Sequence, residues 1–392
     1  MKVHALAANM QSWLVGLRRY FHMHPEPSFE EVNTSNKVVA ELTRLGIPTV
    51  RMAKTGVVGS LAGGKPGPTV ALRADMDALS IKEKTGLPFA SQNVGYMHAC
   101  GHDCHMTCLL GAAAILAELK DEIAGTVKFF FQPAEELVQG AKAMVAEGAM
   151  EGVDAVFGLH VLGDLPVGTV NVVPGPRMAS ADIFEITVNG KGGHGSAPHQ
   201  GVDAILVGAA IIMNLQSVVS RELNPLDPVV VHVGKLVAGD RFNIIASQAW
   251  LEGANRTFNP DIRKQLPDIM QRVLENTAAA YRATVEMEYT WGCPPLINDA
   301  DLAKLAQRTV KKLFGAEALV DMPPLTGSED FPFFAQRAPG AYVFLGVGNK
   351  EKGIGWPLHH SQFDVDEDAL PIGVAIQAQL ALDYLAAQGN LN

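Results

Sequence analysis

Short apolar runs alternate with amphipathic stretches along most of the chain. Residues 69–73, 126–131, 155–159 and 341–347 are rich in β-branched and aromatic side chains and read as strands. Residues 5–20, 34–45, 106–120 and 141–148 carry helical patterns, the first ending at Arg18-Arg19. The run from His22 to Pro27 between the first two helices reads as a rigid turn. This alternation predicts an α/β fold with a mostly parallel sheet flanked by helices, because parallel strands need long, usually helical crossovers.

The middle of the chain follows another order. Residues 181–188 alternate strictly, with Ile183, Glu185 and Thr187 on one face and Phe184, Ile186 and Val188 on the other. A glycine-rich loop follows, then a helix over 203–220, strands over 229–233 and 248–253, a helix over 262–281 and a strand over 284–289. A β-α-β-β-α-β order predicts a small ferredoxin-like α+β domain. The chain has 392 residues, more than one core usually organises. We therefore expect a domain over 1–181 and 298–392, with an inserted domain over 182–297.

Each strand of the first domain runs into a loop bearing ionisable groups. These are Asp75 and Asp77, then Glu135-Glu136, then His160 at the end of the third strand, then His359-His360. Sites in open α/β sheets form outside the carboxyl ends of strands, so four loops can serve one crevice. The densest cluster is Met97-His98-Ala99-Cys100-Gly101-His102-Asp103-Cys104-His105. A thiolate and an imidazole two residues apart supply metal ligands, and the adjacent carboxylate a partner for them. Cys104 and Cys108 read instead as small buried hydrophobes of the following helix. Of Glu135 and Glu136, one can bind metal while the other activates water. Cys100, His102, Glu136, His160 and one of His359 or His360 make a donor set of mixed softness. It suits one or two transition ions: zinc, manganese, nickel or cobalt.

Other chemistries fit less well. Gly190-Lys191-Gly192-Gly193-His194-Gly195 matches a dinucleotide-binding glycine pattern, but Pro198 and His199 interrupt the helix start and no acid ends a strand at the required distance. No paired Cys/His knuckles, nucleophile elbow, phosphate-binding Walker loop or H-E-x-x-H pattern occurs. With 31 basic and 41 acidic side chains, the net charge of −10 argues against nucleic acid or an anionic membrane as partner. No secretory leader is expected, and the longest apolar stretches, 108–116 and 204–213, fall short of the roughly 20 residues of a membrane span. Four cysteines, three of them crowded between 100 and 108, suggest no disulfide framework and hence a reducing compartment, most simply the cytoplasm.

Taken in order, Arg73-Ala74-Asp75-Met76-Asp77-Ala78-Leu79, the 98–105 cluster, Gln132-Pro133-Ala134-Glu135-Glu136, Gly158-Leu159-His160, the segment from Gly192 to His199 and Ser328-Glu329-Asp330-Phe331 resemble the M20 metallopeptidase family. The nearest likeness is to its amidohydrolase branch, which includes hippurate hydrolases, N-acyl-amino-acid amidohydrolases and plant auxin-conjugate hydrolases. The resemblance implies a catalytic domain holding two divalent ions and an inserted lid through which the chain forms a homodimer. It implies Cys100 as a bridging ligand, with His102, Glu136, His160 and the C-terminal histidine completing the shell. Glu135 would be the general base, and Asp77 would orient a ligand. His194 on the lid would reach an active site, often the partner subunit's in related enzymes. Asn243 and Arg256 are candidates for the substrate carboxylate. The family's C-terminal register favours His359 over His360, although Ser361 stands where the family has proline. Lid segments Asn243-Ile244-Ile245-Ala246 and Gly253-Ala254-Asn255-Arg256 also depart from the family's pattern. The implied substrate is a small N-acyl amino acid. An aminopeptidase or carboxypeptidase of the same superfamily is the alternative. A non-catalytic binding protein is disfavoured, since binding alone needs no Glu135.

Overall fold

Unbroken apolar runs suit strands covered on both faces. Gly340–Gly348 is buried at every position, and Ala155–Pro166 over its first nine. In the computed structural model, which describes residues 2–389, they are neighbours in a seven-stranded sheet. Its order is Thr49–Met52, Gly56–Ala62, Ala124–Gln132, Lys65–Asp75, Ala155–Pro166, Gly340–Gly348, Val170–Asn171. The four strands from Ala124–Gln132 to Gly340–Gly348 run parallel, and the flanking pairings are antiparallel. The α/β architecture expected from the sequence is the one observed. One expectation differs: His160 does not end its strand. The ladder with Gly340–Gly348 continues past it, through His160↔Phe344 to Gly348↔Pro166. The opening helix is also divided, into Lys2–Asn9 and Gln11–Met23, where the Met10 amide tightens back onto the Ala7 carbonyl.

The helices His102–Glu118 and Leu370–Gly389 pack on the strand Lys65–Asp75 and on each other. Their approach is close enough to need glycine on both sides. A Cβ at Gly111 would lie 2.4 Å from Val374 Cγ2, and one at Gly373 would lie 2.6 Å from Cys108 Sγ. Cys104 and Cys108 are buried in this layer, and burial raises both thiol pKa values, so neither ionises readily.

Among the described residues, one compact unit comprises the chain through Gly175, Ile297–Pro323 and the part from Asp330 onward; the other comprises Pro176–Leu296 and Pro324–Glu329. The second unit holds a four-stranded antiparallel sheet in the order Val229–Ala238, Gln248–Thr257, Ala181–Asn189, Thr284–Cys293. Its helices are Ala204–Ser217 and Pro260–Ala280. The β-α-β-β-α-β order and the strict alternation of residues 181–188 are both present, with Phe184, Ile186 and Val188 in the core. The second helix starts as capping rules require: Asn259 accepts the amides of Asp261 and Ile262, and Pro260 takes the first position.

Two helical stretches, Ala204–Glu222 and Glu367–Gln388, are long and apolar enough to cross a membrane, contrary to the shorter runs counted in the sequence. The counts differ because isolated polar residues interrupt the runs without lowering the average hydropathy below a span's. Of the second stretch 72% is buried within the protein.

Replacing Gly373 by valine should overpack the helix pair and cost ~1–3 kcal/mol. The expected result is a lower Tm in thermal unfolding; an unchanged Tm would contradict the close packing described.

Candidate active site

The site is built where the strand Lys65–Asp75, the loop before His102–Glu118, the loop after Ala124–Gln132 and the strand Ala155–Pro166 meet within the first unit. Gly101 makes the first turn possible. It has φ 83°, the left-handed region, and a Cβ there would lie 2.3 Å from Val161 Cγ2. Its carbonyl accepts the amides of Cys104 and His105, which starts the helix and leaves Cys100 in the loop before it.

Cys100 Sγ lies 3.5 Å from His160 Nε2. The ligand atoms of Cys100, His102 and His160 all lie within 4.8 Å of one another, as do those of Cys100, Glu136 and His359. His102, Glu135 and Glu136 form a third such group. The first two share the Cys100 sulfur. His359 has φ 63°, its amide donates to Ala99 O, and its Nε2 lies 3.6 Å from Glu136 Oε1. His360 instead stacks on Trp356 at 4.2 Å and accepts the Gln362 amide on Nδ1.

Asp77 organises two of these segments. Its backbone carbonyl accepts from His102 Nδ1 at 2.8 Å, so a proton sits on Nδ1 and Nε2 is the nitrogen left for a metal ion. Its carboxylate accepts the amides of Glu135 at 3.0 Å and Glu136 at 3.1 Å, and the Ser28 hydroxyl at 2.6 Å. Ala134 takes φ 49° to make this turn, and its amide donates to Glu31 Oε1.

The acid adjacent to His102 behaves differently from the sequence expectation. Asp103 points away from the cluster because consecutive helical residues diverge. It pairs with Arg18 Nε at 2.9 Å and His22 Nδ1 at 2.8 Å, tying the helix to the N-terminal segment. The paired guanidinium and imidazole outweigh the burial that opposes ionisation, and its pKa falls far below the carboxylate range.

Burial raises the Glu136 pKa to about 7, and the nearby Asp77 and Asp75 add to the rise while His102 opposes it. His102 is driven the other way. Burial would lower it, but Asp75 and Asp77 outweigh that and lift it to about 10. Burial, reinforced by His105, holds His160 well below its ordinary value. His102 Nε2 and Glu136 Oε1 are buried without hydrogen-bond partners. A ring nitrogen and a carboxylate oxygen left without partners beside a thiol and imidazoles fit divalent cations, which would displace the ring proton and bring positive charge of their own.

Three expected residues lie in the second unit. His194 pairs with Ile244 in a short two-stranded ladder, and its Nδ1 accepts the Ser196 amide at 3.1 Å. Asn243 Oδ1 is buried without a partner. Arg256 donates to Thr326 O at 3.1 Å. Reasoning from the sequence placed Asp75 only as a strand-end acid, with no role, and passed over His105, although His105 follows His102 at the i+3 spacing that shares a helical face.

Residues 71–383 match the profile of the peptidase family M20/M25/M40. The chain belongs to this family. An N-acetylcysteine deacetylase of Bacillus subtilis is 42% identical to this M20 protein, over 95% of the chain and 97% of the relative. Thermostable carboxypeptidase 1 of Saccharolobus solfataricus is 40% identical over 96% of each. A Bacillus subtilis crystal structure described as a dinuclear metal-binding peptidase of the M20 family superposes with a TM-score of 0.87 at 37% identity, covering 97% of this chain and 99% of that one. This M20 chain is a metal-dependent hydrolase acting on amides, of the amidohydrolase branch. Its donor groups and these relatives support two divalent ions.

Removing divalent ions with a chelator should abolish amide hydrolysis and lower Tm, because a ligand bound only by the native state stabilises it. Adding divalent ions back should restore both. Full activity in chelated protein verified metal-free would refute the metal requirement.

Proposed function

We propose that the enzyme hydrolyses the amide bond of small N-acyl amino acids, hippurate-like or N-acetylated, releasing a carboxylate and a free amine. The observation that carries this reading is the position of the Glu135 carboxylate, which shares a cluster with His102 and Glu136 at the cysteine-containing donor set. Cys100, His102, Glu136, His160 and His359 would hold the two ions. The mixed thiolate, imidazole and carboxylate donors favour zinc, manganese, nickel or cobalt. When bound, the ions lower the pKa of coordinated water and polarise the amide carbonyl.

Glu135 takes a proton from the attacking water and returns it to the leaving nitrogen, so one carboxylate serves as base and then as acid. Asp77 keeps Glu135 and His102 in register by holding the Glu135 amide and the His102 ring. On the lid, the Ser196 amide donates to His194 Nδ1. A neutral His194 therefore carries its proton on Nε2, the form that donates to a carbonyl oxygen as negative charge develops. Asn243 and Arg256 take the substrate carboxylate, for which a guanidinium is suited.

The second unit also supports a homodimer. Leu206 and Met213 on its first helix are 54% and 72% exposed, and Val229–Ala238 is an edge strand of its sheet. Four buried cysteines outside any disulfide support a reducing, cytoplasmic setting.

A panel of N-acetyl and N-benzoyl amino acids against free dipeptides separates this reading from the carboxypeptidase one that the Saccharolobus relative suggests. We expect turnover of the acylated substrates. Glu135→Gln should keep its metal content by elemental analysis and lose roughly 10²–10⁴-fold in kcat. Turnover of dipeptides alone, or near-normal kcat in the variant, overturns the respective assignment. Mixing His194→Ala with Glu135→Gln subunits should restore part of the activity if the lid serves the partner. No recovery in verified heterodimers rejects sharing.

A further inference from the structure

Behind His160 lies a chain of hydrogen bonds that the proposed reaction does not use. Asp75 Oδ1 accepts from His105 Nδ1 at 2.6 Å. His105 Nε2 in turn accepts the backbone N–H of Val161 at 2.9 Å. The carbonyl of the same Val161 accepts from His160 Nδ1 at 2.7 Å. Asp75 and His105 are fully buried and His160 is nearly so, with the two rings in edge-to-face contact at 4.6 Å. A backbone N–H donating to an imidazole nitrogen requires that nitrogen to be unprotonated. The Val161 amide is open to such a partner because the ladder between Ala155–Pro166 and Lys65–Asp75 ends at Arg73↔Gly158.

We propose that His105, oriented by Asp75, is a positioning residue that aims the His160 ring at the Cys100 sulfur through the Val161 main chain. The proton inventory allows one arrangement. The Asp75 carboxylate only accepts, so His105 carries its proton on Nδ1 and offers a lone pair from Nε2. That lone pair holds the Val161 amide. The Val161 carbonyl then takes the Nδ1 proton of His160, which leaves the His160 Nε2 lone pair facing Cys100. Asp75 cannot be replaced by its amide without conflict. Its other oxygen accepts Arg73 Nη1 at 2.6 Å and lies 3.7 Å from His102 Nε2, so both hydrogen-bond partners of this carboxylate are donors. An asparagine accepts from one and presents its NH₂ to the other. If that NH₂ meets His105, the ring proton moves to Nε2 and opposes the Val161 N–H.

The inference rests on His160 being a metal ligand, and it is tested without substrate. Metal-stripped wild type, Asp75→Asn and His105→Phe are titrated with zinc alone against a chromogenic chelator. Nitrogen NMR of the histidine rings is recorded on the same metal-free samples. We expect wild type to show His105 and His160 in the Nδ1–H form. Asp75→Asn should change the ring tautomer of His105 or broaden its signals. Both variants should weaken one of two zinc sites by about 10–100-fold, the usual cost of losing a metal ligand's supporting partner. The other site should keep its affinity. A general loss of folding would instead weaken both sites together and would show in the thermal unfolding of the metal-free protein. Wild-type affinity at both sites in folded variants, or His160 carrying its proton on Nε2 in wild type, overturns the proposal. Normal zinc binding without hydrolysis of acyl amino acids would count against the proposed function alone.

Discussion

Asp77 is the residue on which the site's geometry depends. It is 1% exposed, and a buried carboxylate is tolerated only when its lone pairs are fully used. Its carboxylate draws in Ser28 from the N-terminal turn and the amides of Glu135 and Glu136, while its own carbonyl holds the His102 ring. Three stretches remote in sequence are thereby brought to one point. The ionised form is favoured despite burial, because His102 and the donated hydrogens lower the Asp77 pKa. The arrangement and the charge sustain each other.

Around this point the backbone accepts conformations that side chains usually avoid. Phe29, Ala134, Val138 and His359 all have positive φ, and each lies in a loop that carries or supports a site residue. Strain of this kind, of order 1–3 kcal/mol per residue, persists only where the surroundings over-determine it. Here the ties are visible. Glu31 holds the Ala134 amide and Ala99 holds the His359 amide. The sheet below adds rigidity through Arg73, buried between Asp75, Gln132, Asp330 and Tyr342. A metal-binding cluster on such a base has little to reorganise when an ion arrives.

Much of this was legible from residue order. Asp77 and Glu135-Glu136 after their strands marked the crevice, as did His160, read as a strand end although its strand runs on, since a parallel sheet sends its carboxyl-end loops to one edge. The β-α-β-β-α-β order and the alternation at residues 181–188 likewise foretold the second sheet, because a period of two leaves one face for a core. Less accessible were the partners of individual atoms. Asp103 looked like support for His102 by adjacency, yet the helix turns it toward Arg18 and His22. Asp77 was expected to orient an unspecified ligand; its hydrogen bond to the His102 ring, at 2.8 Å, runs through its main chain.

Local composition and periodicity thus determined the element types and the fold class and offered candidate donors, because these follow from burial patterns and from the scarcity of Cys and His. Which donors meet, and which partners Asp103 and His105 find, were decided by tertiary structure alone. Such contacts join residues separated by up to several hundred positions, and their geometry is set by helix phase, strand length and packing clearance at single glycines, quantities that no local stretch of sequence carries.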